Sequence, residues 1–228
     1  MKLSLVIPAY NEEGSIASVV RALNKAFFPV EPSFEIIVVD NGSSDRTPAI
    51  LVELSAEIPV LRTVRVEVNR GYGNGVIAGL RETTGDILGW VDADNQVRPE
   101  DVAAVYRAIR DGQADLAKAR RGSRPESHFR AFQSSVFNLI FRSLFGGNFS
   151  DINAKPKLFR RSLWEVAHLS SLDFFIDAEL MIKAIRQRAR VREVEVIWVI
   201  RTTGRSSVHF FAGIEFLKNM LRYKFFGD

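Results

Sequence analysis

Three short apolar runs in the first half of the chain each stop at a residue suited to a turn or to chemistry. Leu3-Ser4-Leu5-Val6-Ile7 ends at Pro8, Phe34-Glu35-Ile36-Ile37-Val38-Val39 at Asp40, and Ile87-Leu88-Gly89-Trp90-Val91 at Asp92. Runs of this length, bounded by turn residues, read as buried strands. Helical patterns separate them. Ile16, Val19, Val20, Leu23 and Phe27 recur at helical spacing, and a helix is expected from Thr47 with Pro48 in its first turn. Val64, Val66 and Val68 alternate with Arg65 and Glu67 as in a strand. Asn74 to Glu82 suits a helix, and Pro99 opens another with Val102, Val105, Tyr106 and Ile109 on one face. Strand–helix alternation calls for an α/β fold with a mainly parallel sheet covered by helices on both faces. Ligands of such sheets bind beyond the carboxyl ends of the strands. Pro8, Asp40 and Asp92 are therefore expected along one edge.

The second half is less regular. Gly122 to His128 reads as a loop, helices are expected near Arg130–Phe145, Ser162–His168 and Ile176–Gln187, and a strand at Val194–Val199. No repeat or linker divides the chain. It is read as one domain over residues 1–207, followed by an amphipathic helix over 208–228. A length of 228 residues with 46% hydrophobic content is enough for one substantial core. The absence of cysteine excludes disulfides, thiolate metal sites and cysteine nucleophiles.

The net charge is +4, and the excess of basic over acidic residues falls between Lys118 and Arg192. Anionic partners are favoured, but no stacking-aromatic motif accompanies the basic residues, so nucleic acid is not expected. No stretch approaches the roughly 20 apolar residues of a membrane span, and the first residues lack the features of a signal peptide. A cytoplasmic location is the expectation.

Asp92-Ala93-Asp94-Asn95-Gln96 carries the clearest chemistry. Extended residues two apart face the same side, so both carboxylates can address one ligand. Mg²⁺ or Mn²⁺ takes oxygen ligands and often bridges one or two carboxylates to substrate phosphates. Without a cation, carboxylate and diphosphate repel, at about 4 kcal/mol for unit charges 4 Å apart at an effective dielectric of 20. Pro8-Ala9-Tyr10-Asn11-Glu12 offers an aromatic ring and an acid at the same edge, and Glu12 also suits a helix first turn. Asp40 can accept hydrogen bonds from a base or ribose, or serve as an Asx-turn residue beside Asn41-Gly42.

Pro8-Ala9-Tyr10-Asn11-Glu12, Asp40-Asn41-Gly42-Ser43-Ser44-Asp45, Asn69-Arg70-Gly71-Tyr72-Gly73 and Asp92-Ala93-Asp94 follow one another at expected strand ends. The set resembles the inverting glycosyltransferase family 2, which implies a GT-A fold. Asp92-Ala93-Asp94-Asn95-Gln96 looks most like the dolichol-phosphate mannose synthase and polyprenyl-phosphate glycosyltransferase branch. The resemblance implies a nucleotide-diphosphate sugar donor, GDP-mannose or a UDP-hexose. Pro8, Tyr10, Glu12 and Asp40 would surround the nucleoside, and Asp92, Asp94 and Gln96 would bind Mg²⁺ or Mn²⁺ and the diphosphate. Arg201, in Arg201-Thr202-Thr203-Gly204-Arg205-Ser206, matches the arginine that contacts the diphosphate. Arg130 and Ser134 match residues that hold the acceptor's phosphate, with Arg121 or Arg124 beside them. A guanidinium suits phosphate oxygens in bidentate geometry.

The chain departs from the branch in two ways. Asp151-Ile152-Asn153-Ala154-Lys155-Pro156-Lys157-Leu158-Phe159 matches its aspartate-led segment only loosely, and the sequence reaches Asp228 without the membrane-spanning helices many members carry. Both bear on the acceptor more than on the donor. Phe210, Ile214, Leu217 and Leu221 form a helical stripe opposite Glu215, Lys218, Asn219 and Arg222. Such a helix suits the core, a homodimer contact or an anionic membrane surface, which would make the protein peripheral on the cytoplasmic face of the membrane.

The expected reaction is one inverting displacement at the anomeric carbon, with Asp94 in the catalytic centre. A hydroxyl acceptor needs a general base, for which Asp151 is the first candidate and Asp177 or Glu179 the next. A lipid phosphate needs arginines instead, and the stretch Arg120–Arg130 favours it. Other readings fit less well. Gly71-Tyr72-Gly73-Asn74-Gly75-Val76 has valine where a dinucleotide fingerprint needs its third glycine. A haloacid-type phosphatase would place its paired aspartates after the first strand, where Pro8-Ala9-Tyr10 stands. A sugar-nucleotide pyrophosphorylase would want a Gly-rich loop there, which Asn11-Glu12-Glu13-Gly14 does not supply. A soluble or glycan hydroxyl acceptor, or a nucleotide-sugar-binding protein without catalysis, are the remaining alternatives.

Overall fold

The two longest apolar runs pair side by side. β1 (Leu3–Ala9) and β2 (Phe34–Asp40) are parallel and in register from Leu3↔Phe34 to Ala9↔Asp40, and all their residues are buried. Burial on both faces explains why these strands read as near-continuous apolar runs rather than alternating ones. The computed structural model describes residues 2–122, 128–199 and 212–226, with side chains except those of 128–133, 212–214 and 226.

β3 (Leu61–Arg65), β4 (Ile87–Trp90), β5 (Leu116–Arg121), β6 (Lys157–Arg160) and β7 (Val191–Val196) complete a sheet of order β3-β2-β1-β4-β6-β5-β7. β6 runs antiparallel to both its neighbours, β4 and β5, while β5 and β7 are parallel. The carboxyl ends of β1, β2, β4, β5 and β7 therefore share one edge with the amino end of β6. One face of the sheet is covered by α1 (Ile16–Phe27), α2 (Thr47–Glu57) and α4 (Pro99–Arg110). The other is covered by α3 (Tyr72–Arg81), α5 (His128–Phe145), α6 (Arg161–Ala167), α7 (Ile176–Arg186) and α8 (Ala212–Phe226). This is the mainly parallel, doubly covered sheet expected from the sequence.

Three expectations need correction. The alternation Val64, Val66, Val68 outruns its strand: β3 ends at Arg65, and Val68 is 63% exposed. The last expected strand, Val194–Val199, is displaced, since β7 spans Val191–Val196. β5 and β6 were not anticipated, because each carries a fully buried lysine, Lys118 and Lys157, that interrupts the apolar pattern. Lys118 Nζ donates to Glu193 at 2.8 Å, a pairing between residues far apart in sequence.

The stripe on α8 also differs from the expected one. Phe216, Met220 and Tyr223 face inward, Leu217 is half-buried, and Leu221 is 41% exposed. The Phe216 ring meets Phe137 at 5.7 Å and Phe175 at 5.4 Å, and Tyr223 meets Phe175 at 5.7 Å. Asn219, expected to lie opposite, donates to Asp173 at 2.7 Å. Phe210 and the Ile214 side chain lie outside the described residues, as does the boundary at residue 207.

A packed α8 has a measurable consequence. Met220→Ala should lower stability by about 2–5 kcal/mol in urea unfolding, because a fully buried side chain is lost and a cavity left. A helix touching only a membrane surface would lose less than about 0.5 kcal/mol in the same experiment.

Candidate active site

Two loops at the ligand edge are tied to each other. The backbone amide of Asn41 donates to Ala9 O at 2.8 Å, continuing the β1–β2 ladder past the strands. Asn11 N donates to Ser43 Oγ at 3.0 Å, Ser44 N to Asn11 Oδ1 at 2.8 Å, and Glu12 N to Thr47 Oγ1 at 2.9 Å. These bonds hold the turn in which Asn11 adopts a φ of 55°. Pro8 is buried, whereas Tyr10 is 43% exposed. The Glu12 carboxylate accepts from Ser15 Oγ at 2.7 Å at the start of α1. Asp40 is only 4% exposed. It accepts from Ser43 N at 2.9 Å, as an Asx-turn residue does, and from Arg65 Nη1 at 3.2 Å.

Asp92 follows β4 after one residue, Val91. Its Oδ1 accepts the Tyr72 hydroxyl at 2.7 Å, and its Oδ2 lies 3.2 Å from Lys155 Nζ. Tyr72 is delivered by the first turn of α3, which sits close against residues 171–173: Asn74 N donates to Leu172 O at 3.0 Å. A Cβ on Gly73 would come within 2.2 Å of Ser171 O, so this approach requires glycine. Asp94 turns the chain, accepting from Gln96 N at 3.1 Å, with Asn95 at a φ of 59°. The segment after β7 lies alongside: Val97 bridges Trp198, Val199 N donates to Gln96 O at 2.9 Å, and Gln96 Nε2 donates to Val199 O at 3.3 Å. That bond leaves the Gln96 amide oxygen as an acceptor.

The donor set decides what kind of cation fits. Among the described residues no group of three or more acidic or histidine side chains forms a cage. Asp94, Gln96 and Asp92 offer hard oxygen donors, and Asp92 is already engaged by Tyr72 and Lys155. Such a set fits Mg²⁺ or Mn²⁺ arriving with a diphosphate, since Mg²⁺ commonly uses one or two carboxylates plus substrate phosphates.

Beneath Asp92 lies a buried network absent from the sequence expectation. Lys155 Nζ is also 3.4 Å from Asp177 Oδ2, and Lys157 Nζ donates to Asp177 Oδ1. The Lys155 ammonium lies 4.4 Å from the centre of the Tyr72 ring, which stacks on Phe174 at 5.0 Å. Burial works against the charged form of Lys155, but Asp92, Asp177 and Asp94 outweigh it and hold the ammonium above the ordinary lysine range. Burial pushes Lys157 down to about 8, against the pull of Asp177. Burial, then Asp92 and Asp177, raise the Tyr72 phenol well above its usual value. The sequence carried a signal for these lysines, namely two of them flanking Pro156.

Arg121 and Asp151, expected in separate roles, grip one another. Nε donates to Oδ2 at 2.7 Å and Nη2 to Oδ1 at 2.8 Å. The guanidinium lies 4.9 Å from the centre of the Trp198 ring, whose buried Nε1 has no hydrogen-bond partner. Both Asp151 oxygens thus face a guanidinium, so acting as a base would first require breaking this pair. The other two candidate bases are also engaged. Asp177 is held by two lysines, and Glu179, fully buried, accepts from Ser170 N at 3.0 Å and Ser171 N at 2.8 Å. Ser134 is half-buried on α5. Arg124, Arg201 and the Arg130 side chain lie outside the described residues.

Comparison with known proteins bears on the family and the fold. Residues 4–167 match the family description "Glycosyl transferase family 2". An undecaprenyl-phosphate 4-deoxy-4-formamido-L-arabinose transferase from Photorhabdus laumondii is 32% identical over 166 residues, covering 72% of this chain and 50% of that protein. One of the same description from Pectobacterium carotovorum is 29% identical over 222 residues, covering 96% of this chain and 66% of its own. The chain thus spans from half to just under two thirds of the length of these two relatives. Glucosyl-3-phosphoglycerate synthase from Mycobacterium tuberculosis, solved with phosphoglyceric acid, superposes with a TM-score of 0.77 at 20% identity, over 98% of this chain and 80% of its own. The same enzyme solved with Mn²⁺, uridine diphosphate and glucosyl-3-phosphoglycerate gives 0.75 at 21% identity, over 98% and 79%. The fold is the GT-A fold, and the chain belongs to glycosyl transferase family 2.

Proposed function

We propose that the chain is an inverting glycosyltransferase that moves a sugar from a nucleoside-diphosphate donor to a polyprenyl phosphate. The observation that carries the choice of acceptor is the state of the candidate bases. Asp151, Asp177 and Glu179 are each engaged by a guanidinium, two ammoniums or backbone amides. A hydroxyl acceptor must lose a proton to a base, whereas a lipid phosphate arrives as an anion and needs cations to hold it. Relatives named for undecaprenyl phosphate support that reading. A uridine diphosphate donor is supported by the nucleotide bound in the structural neighbour.

Pro8, Tyr10, Glu12 and Asp40, on or beside the tied loops, would surround the nucleoside. Asp94 and Gln96, with Asp92 behind them, would hold Mg²⁺ or Mn²⁺, which when bound supplies positive charge to the departing diphosphate. Arg121, at the end of β5 and paired with Asp151 beside the Trp198 ring, would contribute its guanidinium charge to holding the acceptor phosphate together with Arg130 and Ser134, and Arg201 would contact the diphosphate. An acceptor phosphate oxygen bonds to the anomeric carbon as the bond to the diphosphate oxygen breaks, inverting that carbon.

No helix among the described residues is long and apolar enough to cross a membrane. Leu139 on α5 and Leu221 and Phe225 on α8 are exposed, and Arg142, Lys218 and Arg222 stand exposed on the same two helices. Such a mixture suits contact with an anionic membrane surface on the cytoplasmic side.

Transfer from a UDP- or GDP-sugar to undecaprenyl phosphate in detergent tests the reading. Asp94→Ala should lower kcat/KM by about 10²–10³-fold, as loss of a group stabilising developing charge does. Wild-type activity in that variant would remove Asp94 from the centre. Arg121→Ala should lose about ten- to a hundredfold, the range of one charge-assisted contact. Asp151→Asn should lose less than about tenfold, against the 10²–10⁴-fold expected of a missing general base. A loss in that higher range would restore Asp151 as the base and turn attention to a hydroxyl acceptor.

A further inference from the structure

The place beside Asp92 where a divalent cation would be drawn already holds a positive charge. Lys155 Nζ lies 3.2 Å from Asp92 Oδ2 and 3.4 Å from Asp177 Oδ2. The second oxygen of each carboxylate is also engaged, on Asp92 by the Tyr72 hydroxyl at 2.7 Å and on Asp177 by Lys157. The Lys155 side chain is only 11% exposed, and its ammonium is enclosed by the Tyr72 and Phe174 rings at 4.4 and 5.7 Å. It is therefore a built-in part of the site rather than a surface lysine in passing contact.

The charge balance around it is narrow. Among the described residues, Asp92 and Asp177 supply two negative charges to this chain of ion pairs and Lys155 and Lys157 two positive ones, so the pairs balance. A balanced chain is a weak attraction for a divalent cation. A divalent cation approaching Asp92 also meets the ammonium at short range, in surroundings where like charges are poorly screened.

We propose that Lys155 is a resident cation on Asp92. It weakens divalent-cation binding to the free protein and makes metal capture depend on the nucleoside diphosphate, which brings its own negative charge and oxygen ligands. Tyr72 holds the other Asp92 oxygen, so both oxygens of that carboxylate are engaged in the free protein. The consequence is ordered loading, with metal and nucleotide entering together. This rests on the donor-site reading above.

Electron paramagnetic resonance of free Mn²⁺ tests it without measuring turnover, on wild type, Lys155→Met and Tyr72→Phe, each with and without uridine diphosphate. Lys155→Met should bind Mn²⁺ without nucleotide at least tenfold more tightly than wild type, and the gain in affinity on adding uridine diphosphate should shrink in proportion. Tyr72→Phe opens an Asp92 oxygen but keeps the ammonium, and should change the nucleotide-free affinity less than threefold. A Lys155 that only props up the fold predicts the opposite sign, weaker binding in Lys155→Met, and that result or an unchanged affinity overturns the proposal. If Lys155→Met does not fold by circular dichroism, Lys155→Gln removes the charge, keeps a donor for Asp92, and carries the same expectation. Wild type that binds no Mn²⁺ even with uridine diphosphate would sink the donor-site reading, and this inference with it. Nucleotide-dependent binding that Lys155→Met leaves untouched would sink this inference alone.

Discussion

The ligand edge depends on one chain of buried charges, Asp92–Lys155–Asp177–Lys157. It joins the end of β4, the start of β6 and the first turn of α7, which are distant in sequence. Asp177 and Lys157 are almost wholly removed from water, with relative exposures of 1% and 0%. Charges buried so deeply are tolerated only when paired and hydrogen-bonded, and removing one partner of such a pair costs about 3–5 kcal/mol. No member can therefore be moved without moving the others. The network is worth little as net stability, because desolvation offsets most of the Coulomb attraction. What it supplies is placement: it fixes the first carboxylate of Asp92-Ala93-Asp94 relative to the helix and strand that approach from the other half of the molecule.

A second set of ties fixes the other half of the edge. The loops after β1 and β2 exchange hydrogen bonds through Asn11, Glu12, Ser43, Ser44 and Thr47, while Asn41 reaches the third loop by donating to Gly71 O at 2.9 Å. These bonds run between backbone and short polar side chains. The loops after β1 and β2 are thus organised by turn chemistry, and the surroundings of Asp92 by buried charge.

That difference explains which parts of the molecule were legible in the sequence. β1, β2 and β4 announce themselves because an apolar run stops abruptly at Pro8, Asp40 or Asp92, at the edge where the strands' carboxyl ends converge. Their convergence follows from parallel topology alone. The lysine network was not legible, because a lysine in a strand looks like a surface residue until its partner is known. Lys118 finds Glu193 only through the β5–β7 pairing, and Lys157 finds Asp177 only through packing of α7. The mutual engagement of Arg121 and Asp151 was hidden for the same reason: each suited a role alone, and only the fold brings them together. On α8 the stripe was misplaced because helical spacing admits more than one face, and aromatic packing against α5 and α7 selects Phe216, Met220 and Tyr223.

The reversed strand β6 gives the edge its division of labour. In a purely parallel sheet, every side chain at the ligand edge comes from a segment that follows a strand. Because β6 runs the other way, with Trp90 opposite Lys157, the segment that precedes it reaches the edge instead. Asp151 and Lys155 both belong to that segment. Residues following β1, β2 and β4 form one half of that edge. The segment preceding β6 forms part of the other. A change there alters the charge behind Asp92 through Lys155 and the setting of Arg121 through Asp151. One short segment therefore acts on side chains that two different strands, β4 and β5, deliver to the same edge.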